Sequence, residues 1–85
     1  MRYIKKRNNS KVVFDKHKIY KAISKAFNAN GMKTPVYIDM FVNSDAFDNC
    51  KTVEEVQDTV EKYLVKQNFT VAKNYILYRS DFYDY

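Results

Sequence analysis

At 85 residues the chain has room for one small domain, 1–85, and a domain of this size buries only about 60% of its unfolded surface. Eight tyrosines and six phenylalanines nevertheless supply enough apolar bulk to exclude disorder. The single cysteine, Cys50, excludes an internal disulfide and favours a reducing, cytoplasmic setting. No run approaches the roughly 18–20 apolar residues of a membrane span, and no apolar signal region follows the basic N-terminus, so a membrane partner is not expected.

The net charge of +5 is unevenly placed. Residues 1–25 carry nine basic residues opposed only by Asp15, a local charge of +8, whereas the remainder carries six basic and nine acidic residues, or −3. Such a split points to a polyanionic partner for the first third, although a solvated lysine surface gives the same count.

In chain order, strands are expected over 2–6 and 11–14, joined by the turn Arg7-Asn8-Asn9-Ser10. Asparagine tolerates the left-handed backbone that tight hairpins demand, and Val12, Val13 and Phe14 are good strand formers. Asp15 is placed to cap a helix in which Ile19, Ala22, Ile23, Ala26 and Phe27 form one apolar stripe. Lys18, Lys21 and Lys25 share another face, and Asn30-Gly31 closes the helix. Thr34-Pro35 is expected to open a shorter helix, with Thr34 as cap, burying Ile38, Phe41 and Val42 and fading near Asn43. The polar segment 44–51 is expected to loop back, with room for a third short strand just before Thr52. Thr52 and Glu55 have capping-box spacing, and Val53, Val56, Val60 and Leu64 continue a stripe as far as Gln67-Asn68. A fourth helix from about Thr70 into the eighties is apolar over much of its circumference. It reads as the central helix, with Tyr75, Ile76 and Leu77 in the core. The fold class is α+β: a small four-helix bundle capped by an N-terminal β-hairpin, which is too short to stand alone.

Little in this pattern suits catalysis. One histidine and one cysteine cannot build a zinc site, and one glycine excludes the Gly-rich phosphate loops. His17 reads as a surface or cap residue. Glu54, Glu55, Asp58 and Glu61 lie on one helix, and the helix dipole accounts for carboxylates near its start. No catalytic residue is assigned and the chain is not read as an enzyme. The basic turn is the feature with chemistry: Arg7 offers a planar fork and Lys6 a mobile charge for phosphate oxygens. Lys18, in the first turn of the next helix, joins them if the hairpin folds over that helix.

Tyr3-Ile4-Lys5-Lys6-Arg7-Asn8-Asn9, Val12-Val13-Phe14-Asp15 and Lys18-Ile19, followed by Ala22-Ile23 and Ala26, resemble the start of an ATP-cone domain. That family typically shows a hydrophobic strand, Lys-Arg-Asp-Gly, Val-x-Phe-Asp, then Lys-Ile and an Ala-Ile helix. The run Val53 to Glu61 resembles the family's second signature, and the run Val71 to Arg79 its third. Each block alone is common; three in order across residues 3–79 are specific. Two departures stand out. Asn8-Asn9 replaces Asp-Gly, and the stretch 32–51 is shorter than in many members, which implies an abbreviated second helix.

The resemblance implies an allosteric domain that binds ATP or dATP with Mg²⁺ and controls the activity and oligomeric state of a ribonucleotide reductase, whose catalytic domain or subunits would be its partner. It implies Lys6 and Arg7 as the phosphate grip, Lys18 assisting, Val53 at the base, Gln57 reaching the nucleotide and Arg79 closing the site. Lys73 and Tyr78 are given structural roles. A transcriptional repressor of the same pathway carries a four-cysteine zinc ribbon before its cone, which one cysteine does not match. Two alternatives stay open on the residues: a degenerate cone that acts as a protein-interaction module, and a nucleic-acid-binding module using Tyr3, Phe14 and Tyr20 for stacking.

Overall fold

The computed structural model describes residues 1–78. Strands β1 (Tyr3–Lys5) and β2 (Lys11–Val13) pair antiparallel, with Tyr3 opposite Val13, Ile4 opposite Val12 and Lys5 opposite Lys11. Hydrogen bonds from Lys6 N–H to the Ser10 carbonyl (2.8 Å) and from Phe14 N–H to the Arg2 carbonyl (2.9 Å) extend the pairing beyond both ends, toward the expected bounds. The turn closes through Asn9 N–H on the Lys6 carbonyl at 2.9 Å, and Asn9 takes the left-handed conformation at φ 68°. Asn8 reinforces it, its side-chain oxygen accepting from the Ser10 backbone N–H at 3.0 Å.

Helix α1 (Lys16–Ala29) starts where Asp15 accepts from His17 N–H at 2.9 Å. It ends in a Schellman motif: Gly31 N–H reaches the Asn28 carbonyl and Met32 N–H the Phe27 carbonyl, with Gly31 at φ 69°. Its buried residues are the five of the predicted stripe.

Helix α2 (Val36–Val42) buries Ile38, Phe41 and Val42 as expected, but Thr34 is not its cap. Pro35 holds the cap position in extended backbone without a side-chain cap bond. The Thr34 hydroxyl instead donates to Ser24 on α1 at 2.7 Å, a tertiary partner that local spacing does not reveal. Segment 44–51 is more than a polar return. A short 3-10 helix, Asp45–Phe47, drives Phe47 into the core, where its ring meets Phe41 at 5.2 Å and Phe14 at 6.0 Å. Phe41 also stacks on Tyr63 at 3.8 Å, and burial, then the neighbouring Tyr37, raises the Tyr63 pKa above the ordinary tyrosine value.

Helix α3 (Val53–Gln67) opens on the predicted capping box: Thr52 Oγ1 accepts from Glu55 N–H at 3.1 Å. The Glu55 carboxylate returns to the Lys51 N–H at 3.0 Å, one residue earlier than the standard reciprocal bond. Asn68 ends α3 and opens α4 (Phe69–Tyr78), its side chain accepting from Val71 N–H at 3.2 Å. Helix α4 packs against both α1 and α3. It does so along one face only, burying Val71, Ala72 and Tyr75, while Ile76 and Leu77 are 46% and 70% exposed. The expectation that Ile76 and Leu77 are core residues is therefore corrected. An apolar circumference does not create a second packing partner, and no described element covers that side.

Ile4 is the one fully buried side chain of the hairpin; Val12 and Phe14 pack partly buried against the core, and polar contacts complete its positioning. Arg2 Nη2 donates to the carbonyls of Phe47 (2.7 Å) and Cys50 (2.6 Å), and its guanidinium lies 4.2 Å from the Phe14 ring centroid. Lys5 N–H donates to the Lys51 carbonyl at 3.0 Å, and the expected third strand reduces to a single parallel bridge between Lys5 and Thr52.

Two outcomes follow from these anchors. Arg2→Ala should lower stability by about 1–2 kcal/mol, since bonds from charged donors are the stronger kind, here discounted for partial exposure. Urea denaturation measures the loss, and hydrogen exchange should show it concentrated at the Lys5 amide, not in α3. Asn9→Ala should cost roughly 1 kcal/mol, whereas Asn9→Gly should be neutral or stabilising, because only the former puts an unfavourable Cβ in the left-handed region. The same denaturation curves decide it.

Candidate functional site

The bridge between Lys5 and Thr52 sets the end of β1 beside the start of α3. Between them lies a cleft of about 210 Å³ lined by Lys5, Lys6, Arg7, Asn9, Thr52 and Glu54. Three consecutive cations reach one cleft because the chain reverses there: Lys5 ends a strand, and the turn redirects Lys6 and Arg7. Alternation along a straight strand would send neighbours to opposite faces. The cleft opens on the N-terminal, electropositive end of α3. Ligand pockets for whole small molecules usually run to roughly 300–1,000 Å³. The cleft is smaller than that and matches a phosphate group in scale better than an entire nucleotide.

Its electrostatics are mixed. Arg7 Nε donates to Glu54 Oε1 at 3.0 Å, with the two side chains 63% and 58% exposed. Other members of the basic first third are engaged elsewhere. Arg2 is held on backbone carbonyls, and Lys25 lies 4.7 Å from the Tyr78 ring centroid. The +8 of that segment is therefore not one undivided anionic landing surface.

Of the residues singled out in the sequence, Lys6 and Arg7 line the cleft together. Lys18 is exposed on the first turn of α1 and does not line it. Val53 is buried immediately after Thr52. Gln57 lies on the same face of α3, about 6 Å further along the axis. It is the one buried polar residue among those described, 1% exposed, and its Nε2 has no hydrogen-bond partner. A buried unpaired amide costs about 1–3 kcal/mol, so a native fold that keeps one calls for an explanation. Arg79 lies outside the described residues.

Lys5, Asn9, Thr52 and Glu54 are lining residues that sequence reasoning missed, Thr52 having been read only as a cap. Lys5 had a signal, as the basic residue next to Lys6 at the strand end. Glu54 had none, because nothing local links it to Arg7 across 47 residues. A second depression of about 460 Å³, between the start of α1 and the end of α2, is lined by Lys16, His17, Tyr20, Asp39, Val42 and Asn43. It sets Lys16 against Asp39 and lacks a cluster of cations. Among the described residues no group of three or more His, Cys, Asp or Glu side chains gathers, and no helix is long and apolar enough to cross a membrane.

Comparison with curated proteins gives no match. Comparison with protein families does: residues 2–81 match the family described as the ATP cone domain. The match spans all three sequence blocks, the hairpin carrying Lys6 and Arg7, and every described helix. ATP-cone domains in general are nucleotide-binding allosteric regulatory modules, not catalysts, and take ATP or dATP. With nearly its whole length matched, the chain belongs to the ATP-cone family.

Proposed function

We propose that this chain is an adenine-nucleotide sensor whose phosphate grip is the Lys5-Lys6-Arg7 cleft, and that it regulates a ribonucleotide reductase. The observation that carries the reading is the convergence of these cations on the start of α3; Gln57, with its unpaired amide, lies about a turn further along the helix on the buried face it shares with Val53, and does not line the cleft. Lys6 and Arg7 hold phosphate oxygens, Lys5 adds charge, and Lys18 assists from α1. Val53 packs against the base, Gln57 Nε2 donates to a nucleotide acceptor, and Arg79 closes the site. Bound Mg²⁺ would neutralise phosphate charge as a hydrated ion held mainly by the phosphates themselves.

Regulation then follows from linkage. The hairpin contacts the loop before α3 through single hydrogen bonds. A nucleotide that binds one arrangement of hairpin and α3 more tightly shifts the population by that difference in affinity. ATP and dATP differ by one hydroxyl, worth about 1–3 kcal/mol where its partner is buried and otherwise unpaired. The nucleic-acid reading is disfavoured by Phe14, whose ring is packed with the Arg2 guanidinium and Phe47 instead of standing open for stacking.

Titration calorimetry with ATP, dATP and a short oligonucleotide tests the proposal. Nucleotide binding without oligonucleotide binding is expected; oligonucleotide binding with a steep salt dependence and no response to either nucleotide overturns it. Lys6→Ala combined with Arg7→Ala should weaken ATP at least ~10-fold, since both charge-assisted contacts are lost. Gln57→Leu separates ligand recognition from packing. Removing an unpaired buried amide should leave the melting temperature unchanged or raise it, while ATP affinity falls.

A further inference from the structure

The geometry points to Glu54 as a built-in competitor for the phosphate grip, a residue that sets affinity by occupying Arg7 until phosphate oxygens displace it. The inference rests on the nucleotide reading of the cleft and goes beyond it. Arg7 Nε and Glu54 Oε1 are 3.0 Å apart, and the pair joins the hairpin to α3 inside the cleft that Lys5 and Lys6 line. A carboxylate and a phosphate offer a guanidinium the same kind of acceptor, so both cannot hold the same donor fully. The fold does not depend on the pair. The helix dipole favours Glu54 in the first turn of α3 whether or not Arg7 is near. The hairpin is held to the loop before α3 by the Lys5–Lys51 hydrogen bond and by Arg2.

The exchange is therefore confined to side chains. Both partners are more than half exposed, and an exposed ion pair is a weak tie, at most about fivefold in an equilibrium constant. Glu54 thus leaves readily for a polyanion but not for a single weak one. A ligand must satisfy Lys5 and Lys6 and also replace the carboxylate on Arg7, which selects for polyphosphates.

Titration calorimetry on the 85-residue chain with ATP, at fixed salt and Mg²⁺, compares the wild type with Glu54→Gln, Asp58→Asn, Arg7→Gln and the Arg7→Gln/Glu54→Gln double variant, each checked for folding by circular dichroism. Glu54→Gln should tighten ATP by ~2- to 5-fold. Asp58→Asn, the same charge change one turn along α3 at a residue that does not line the cleft, should alter it less than ~2-fold, because an exposed charge without a direct contact to the grip contributes little. In the Arg7→Gln background the gain from Glu54→Gln should vanish. If the wild type binds ATP and Glu54→Gln binds it equally or less tightly, the competitor role is wrong and the nucleotide site stands. A gain that persists without Arg7, or that Asp58→Asn reproduces, also overturns it, in favour of general charge. If neither wild type nor Glu54→Gln binds ATP, the nucleotide reading of the cleft fails and this inference fails with it.

Discussion

The placement of the hairpin on the helices, and with it the cleft, depends most on one guanidinium. Two strands of three residues cannot hold together alone, and the hairpin they form buries a single side chain completely, Ile4. Burying an isoleucine contributes roughly 1.5–3 kcal/mol but gives no direction, because apolar burial is indifferent to orientation. Arg2 supplies the direction. By donating to the carbonyls of Phe47 and Cys50 it fixes the loop that follows the 3-10 helix, and that loop presents the Lys51 carbonyl to the Lys5 N–H. The end of β1 then lies beside Thr52, and the basic turn has only one place to go.

The cleft that results is a balance of opposed charges on two supports of different stiffness. On one side is a turn closed by Asn9 in a left-handed conformation and tightened by Asn8. On the other is a helix start locked by Thr52 and Glu55, whose side chains satisfy the amides of residues 55 and 51. Glu55 is spent on that capping box and Glu54 is not. Two adjacent carboxylates that look alike in the sequence thus have different roles: one holds the helix start, the other faces Arg7. The departure of Asn8-Asn9 from the family's Asp-Gly leaves the backbone demand of the turn intact, since Asn9 meets it at φ 68°.

Inside the bundle, α4 forms its contacts with α1 and α3 through Val71, Ala72 and Tyr75. A ligand that reorients α3 at its N-terminus acts on a helix whose far end is one residue from α4, through Asn68, which caps both. On the proposed function, that short connection is the physical route by which an event at the cleft reaches α4. Small shifts are transmitted because packed helices have few alternative arrangements.

The sequence by itself determined the local structure. Asp15, Thr52, Asn30-Gly31 and the Asn8-Asn9 turn act through neighbours within a few residues, and the stripes on α1 and α3 are set by helical period, so each was legible. The ordered blocks also determined the family, and with it the expectation that Lys6 and Arg7 belong to a site. Tertiary structure decided what depends on partners far along the chain. Thr34 turned from a cap to a bond with Ser24, Phe47 left a polar segment for the core, and Ile76 and Leu77 stayed outside because, among the described residues, α4 packs on α1 and α3 along one face. It also decided the character of the basic turn: Arg2 was taken up in holding the hairpin, and Arg7 met Glu54 from 47 residues away. Charge can be counted from the sequence, but its pairing depends on distance, and the approach of the hairpin to α3 set that distance.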